Sequence, residues 1–158
     1  MLGTGYDASM DPLDLTLAPP RSCYAELDGL MLMPRTVDKL RGRLPGGNPG
    51  VYFVNGKQMR GISGYLLERL GITEAELLEA VRAAPDEDAV AAWLREHTDA
   101  SQYPAINETL LRIKPKHTQN EELLRAEYSD TLRAHPELET IVEIIEADDK
   151  RLFPGHVA

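Results

Sequence analysis

The stretch Thr73–His97, TEAELLEAVRAAPDEDAVAAWLREH, decides the fold class. Thr73 followed three residues later by Glu76 is a capping box, in which each residue's side chain satisfies the other's backbone N–H at a helix start. Leu77, Leu78 and Val81 then recur at helical spacing, so one face turns inward. Pro85 cannot continue the helix and Asp86 can open the next one, whose inward residues are Val90, Trp93 and Leu94. Two amphipathic helices joined by a tight break imply packing of helix on helix.

The same grammar extends outward. Upstream, Leu66, Leu67 and Leu70 line a helix from Ser63 that Gly71 terminates. Downstream, Ile106, Leu110 and Leu111 mark a helix closed by Pro115. Thr118 with Glu121 repeats the capping-box spacing before Leu123, Leu124, Tyr128 and Leu132. Pro136 is read as the start of the last helix, with Leu138, Ile141, Val142 and Ile145 as its stripe. Further toward the N-terminus, Val51–Val54 followed by Asn55-Gly56 reads as a short β-hairpin near residues 51–60. Before it, Thr36 reads as N-cap, Asp38 as a first-turn acid and Val37, Leu40 and Leu44 as the stripe of a 36–44 helix, stopped by Pro45-Gly46-Gly47. Ser22 caps a short helix to Leu27, which Asp28-Gly29 ends. The expected architecture is mainly α: residues 1–20 form an extended N-terminal lead-in, and residues 21–158 a single helical domain of six to seven helices with that one short hairpin.

Composition agrees. The 158 residues are 42% hydrophobic and 27% charged, ordinary for a globular domain able to bury one core. No apolar run approaches the roughly 20 residues of a membrane helix. MLGTGYDASMDPLD has neither the basic region nor the apolar core of a signal peptide. The single cysteine, Cys23, excludes an internal disulfide. A cytoplasmic protein is expected.

Charge is unevenly placed. Within a net charge of −9, residues 29–67 carry Arg35, Lys39, Arg41, Arg43, Lys57 and Arg60 against Asp38 alone. An acidic body with one basic band can attract an anion locally, whereas nucleic-acid and membrane surfaces call for a broadly basic footprint. Neither nucleic acid nor membrane is an expected partner. On a helical wheel Lys39 and Arg43 lie opposite the apolar stripe, as a solvated face. Asp38 and Arg41 can pair at i, i+3. Arg35, just before the cap, can reach over the exposed N–H groups of the helix start, which suits an anion.

Other constellations say less. Gly56–Ser63, GKQMRGIS, has Walker A spacing but places Ile62 where the phosphate-binding lysine belongs, so it is rejected. Gly61-Ile62-Ser63-Gly64 lacks the basic neighbours of an RNA-clamping loop and reads as the entry to a helix. The glycine-rich tail after Leu44 follows a helix C-terminus, the wrong end for phosphate, and is a turn. His97, His117, His135 and His156 show no metal-ligand spacing. Cys23, in a first helical turn near Arg21, reads as a small packing residue. Ala147–Phe153, ADDKRLF, is the charged end of an amphipathic helix, with Asp148 and Asp149 as carboxylates available for acid–base work.

With these residues in place, the chain resembles the domain-of-unknown-function family 5069 of small bacterial proteins. The likeness is carried by DLTLAPPRSCYAELDGLMLMPRTVDKLRGRLPG and the GVYF after it, by LGITEAELLEAV, and by the terminal ADDKR. Relatives tend to carry a P-L-D-like segment after the tyrosine, where this chain reads VNGKQM. The resemblance implies a shared region around Arg21, Arg35, Asp38, Lys39 and Tyr52, and no activity. The favoured expectation is a binding module in which these five residues hold a small anionic metabolite. Two alternatives stand beside it. One is an enzyme using the same pocket with Asp38, Asp148 or Asp149 as acid or base; the other is an adaptor whose basic band docks a protein partner or a second copy. No cofactor or metal is implied.

Overall fold

In the computed structural model, which describes residues 10–57 and 59–156, the chain forms eight α-helices and one two-stranded antiparallel hairpin. The hairpin pairs β1 (Glu26–Leu27) with β2 (Leu30–Met31). Asp28 and Gly29 both take positive φ, 54° and 83°, the geometry with which a two-residue turn matches the twist of its strands. The short helix expected to end at Leu27 is therefore absent. Ser22 does not cap one, since its hydroxyl bonds the Glu146 carboxylate instead. Residues 51–60 fold back through one antiparallel bridge, Asn55 to Arg60, so Asn55-Gly56 is not the centre of a two-residue turn.

α1 (Met33–Arg41) starts three residues before the expected cap. Leu32 enters it in the left-handed region, Pro34 occupies the first turn, and the Thr36 hydroxyl donates to the Leu32 carbonyl at 2.9 Å from inside the helix. Asp38 consequently lies mid-helix, away from the positive end of the dipole. Every residue of α1 is buried, Lys39 included, so Lys39 is not on the expected solvated face, whereas Arg43, just beyond the helix, is exposed as expected. The helix is enclosed by the β-hairpin, by α3 (Glu74–Ala83), by α8 (Ile141–Leu152) and by part of the lead-in. Leu13 and Leu15 of that lead-in run beside Asn48, with Asn48 N–H donating to Leu13 O at 2.9 Å and Leu15 N–H to Asn48 O at 2.7 Å. Gly47 makes the approach possible, because a Cβ there would lie 2.8 Å from the carbonyl oxygens of Arg41 and Gly42. The remainder of the lead-in, residues 1–9, lies outside the described residues.

α2 (Ile62–Leu70) ends at Gly71 with φ 77°. The Thr73–Glu76 capping box opens α3 with both reciprocal bonds formed, and Asp86 caps α4 (Glu87–His97). Trp93 is only half-buried, because it stacks on His97 at 4.2 Å on the outer side of α4. α5 (Tyr103–Leu110) clamps the hairpin: Asn107 donates to Gly29 O and accepts from Met31 N–H. α6 (Glu121–Glu127) and α7 (Ser129–Ala134) are short. Thr118 does not cap α6; its hydroxyl donates to the Pro115 carbonyl at 2.7 Å, closing the turn before the helix. Pro136 lies in a turn, and α8 begins at Ile141, capped by Thr140, which forms a capping box with Glu143 that sequence spacing also permits. Among the described residues no helix is long and apolar enough to cross a membrane.

Candidate functional site

Four of the five sequence-predicted site residues fall into two ion-pair clusters around α1. Arg35, 2% exposed, meets the Asp149 carboxylate of α8 with Nη1–Oδ2 at 2.7 Å and Nη2–Oδ1 at 3.3 Å. Tyr52 donates its hydroxyl to the same carboxylate at 2.8 Å, and its ring lies 5.3 Å from the Arg35 guanidinium carbon. Burial, then the neighbouring Asp149 charge, raises the Tyr52 phenol well above its ordinary range, so it stays a donor. Arg21, half-exposed, grips Asp38 through its backbone N–H, Nε and Nη2 at 2.8, 3.0 and 3.0 Å. It also bonds Glu87 at the start of α4. Asp38 lies 3.8 Å from Arg41, the expected i, i+3 pair.

Lys39 stands apart. Among the described residues no carboxylate pairs with it, and its Nζ donates to Ser63 Oγ at 3.1 Å. Thr36 Oγ1 lies 2.8 Å from Ser63 Oγ and 2.9 Å from Leu32 O. Each hydroxyl carries one proton, so Ser63 donates to Thr36 while Thr36 donates to the backbone. Burial, and then the Arg35 charge, lowers the Lys39 amine to about 7. Cys23 is fully buried in the same interior, outside any helix, with its thiol raised to about 11 by burial. Arg21 does not activate it.

Asp148 and Asp149, read from sequence mainly as the charged end of a helix, are interior residues. Asp148 accepts from the Thr131 hydroxyl at 2.6 Å and from Arg151 at 3.1 Å. A signal for both was present. They follow Ile141, Val142 and Ile145 by three, four or seven residues, on the buried stripe, and a charge on such a stripe requires a partner inside. Ser63 and Glu87 carried no comparable signal, because their roles exist only once α1, α2 and α4 meet. Three of the six residues in the basic band (Arg35, Lys39 and Arg41) are buried, while Arg43 and Arg60 pair with Glu74 and Glu68.

A separate cavity of about 350 Å³ opens between α2, α6, α8 and the loop of residues 113–120. Its apolar wall is Ile113, Leu124, Ile141 and Ile145, joined by Phe53, Tyr65 and Tyr128. Leu124, Ile141 and Ile145 are buried, whereas Arg60, His117, Gln119 and Asn120 supply the polar groups at its solvent side. His117 Nδ1 accepts from the Lys114 N–H at 3.0 Å, so the neutral ring carries its proton on Nε2 as a donor. The Tyr128 hydroxyl makes no hydrogen bond to another described residue, and burial raises its pKa above the ordinary range. A broader, more open cleft shares Phe53 and Met59 with this cavity and is bordered by Tyr52, a sequence-predicted site residue. Among the described residues no three His, Cys, Asp or Glu side chains converge to hold a metal.

The family model described as Domain of unknown function (DUF5069) matches residues 17–151, and the chain belongs to that family. No curated protein matches it.

Proposed function

We propose that this DUF5069 protein is a cytoplasmic small-molecule binding module whose ligand enters the cavity between α2, α6 and α8. The observation that carries the reading is the cavity itself: about 350 Å³, apolar inside and polar where it meets solvent. Sites for small ligands have that composition, a mainly hydrophobic and aromatic lining with a few placed polar groups. The basic cluster of α1 serves as the frame beneath it. The carboxylates of Asp149, Asp38 and Glu87 already occupy Arg35 and Arg21, and an anion arriving there would have to displace an internal partner. The Arg35–Asp149–Tyr52 set instead fixes α1 to α8 and anchors residue 52, one position before Phe53 of the cavity wall.

The test is a fragment screen followed by backbone amide shifts on isotope-labelled protein. The expected result is that the responding amides cluster within residues 113–120 and 59–65. Responses confined to the neighbourhoods of Arg21, Arg35 and Lys39 would instead return the site to α1 and overturn this reading.

A further inference from the structure

We propose that the ligand of this cavity is an amphipathic carboxylate, held with its apolar body against Leu124, Ile141 and Ile145 and its carboxylate at the rim against Arg60 and His117. The inference rests on the cavity being the binding site and adds the chemistry of what it takes. The chain carries 26 acidic residues against 17 basic ones, yet among the described residues no Asp or Glu lines this cavity; the basic groups on its wall are Arg60 and His117. The ion pair that Arg60 makes is with Glu68, which is 69% exposed at its side chain, so an incoming carboxylate exchanges one solvated partner for another of the same kind. The Arg60 guanidinium stacks on Tyr65, 5.4 Å from the ring centre, which holds it at the wall. His117 contributes its Nε2–H as a second donor. Gly61 and Ile62, the start of α2, also line the cavity, and that helix has no acid in its first turn to oppose a negative group. One guanidinium and one imidazole N–H match the two oxygens of a carboxylate. A phosphoryl group presents more oxygens and more charge than this rim answers.

The apolar depth sets the rest of the molecule. Buried aliphatic side chains, with two half-buried phenols, Tyr65 and Tyr128, leave a ligand that is hydrocarbon or aryl over most of its length. Octanoate and 4-phenylbutyrate represent the acyl and aryl sources of that chemistry, and 1-octanol is the matched neutral probe.

The experiment is calorimetric titration of the three probes into wild type, Arg60→Gln and Ile113→Trp, with folding verified by circular dichroism. Ile113 is half-buried on the wall, so an indole there fills the cavity. Thr118→Trp, also half-buried on the wall, replaces that variant if it does not fold. Wild type is expected to bind at least one carboxylate about tenfold more tightly than 1-octanol, the effect of one charge-assisted contact. Arg60→Gln is expected to erase that preference while keeping 1-octanol affinity, and the filled variant to lose all three probes. The stronger of the two carboxylates identifies the acyl or aryl source. Equal affinity for acid and alcohol in wild type, with both lost on filling, overturns the carboxylate and keeps the cavity. Binding that survives in the filled variant, or no binding of any probe to wild type, overturns both.

Discussion

The two groups of basic residues in this protein do opposite things. Arg35, Lys39 and Arg41 sit in the interior on α1, whereas Arg60 and His117 sit at the mouth of a cavity. Inside, a charge removed from water must be matched or disfavoured, so Arg35 has Asp149, while burial and the Arg35 charge push the Lys39 amine below its ordinary range. At the rim, water screens the charge and a solvated carboxylate such as Glu68 is partner enough. Interior cations therefore hold elements in place, and rim cations remain able to exchange partners with a ligand.

This contrast can be broken by mutation, and the largest effect is expected at the interior pair. Asp149→Ala leaves the Arg35 guanidinium, whose Nε already lacks an acceptor among the described residues, buried without its carboxylate. The expected loss in denaturant unfolding is about 3–5 kcal/mol, with the paired Arg35→Met/Asp149→Leu replacement much milder. A loss under about 1 kcal/mol would mean that the pair is not truly desolvated.

Lys39 gives the next effect through pH. Its folded pKa of about 7 lies below its unfolded value near 10.5, so the unfolded chain binds more protons between them and stability rises with pH over that interval. Cys23 acts the other way above about 9, since its folded thiol is raised to about 11. Wild type should gain up to about 2–3 kcal/mol between pH 7 and 9. Lys39→Met should flatten that rise and be relatively most stable at the acidic end. Parallel pH profiles for the two proteins would show that Lys39 is not the titrating group.

Tyr52→Phe removes a single charge-assisted bond to Asp149 and should cost about 1.5–3 kcal/mol, read as a lower urea midpoint at unchanged slope. The smallest effect belongs to the rim. Arg60→Gln should change stability by less than about 1 kcal/mol, because its ion pair is exposed. A loss as large as that of Asp149→Ala would erase the distinction between the two groups.

Much of the helical framework was legible in the chain. The Thr73 capping box, the Asp86 restart and the Gly71 stop are local devices, satisfied by residues within three or four positions, and they stand as read. Where local spacing allowed two outcomes, packing chose. Thr118 and Glu121 have the spacing of a cap, yet the Thr118 hydroxyl is taken by the Pro115 carbonyl; Thr140 and Glu143 have the same spacing and do cap. Asp28-Gly29 was read as a helix stop, and its two positive φ values made it a hairpin turn.

The candidate site was less legible. The structure brings Arg21 to Asp38 and Arg35 to Tyr52, but the other partners of these residues come from far along the chain. Asp149 is 114 residues from Arg35, and Ser63 is 24 from Lys39. The sequence by itself determined the mainly helical class, the starts capped by Thr73 and Asp86 and the acidic balance of the chain, because those depend on neighbours in the chain and on composition. Which charges lost their water, and where a hollow was left beside the ones that kept it, only the tertiary structure decided. Desolvation depends on what packs over a side chain, and that is set by elements far apart in sequence.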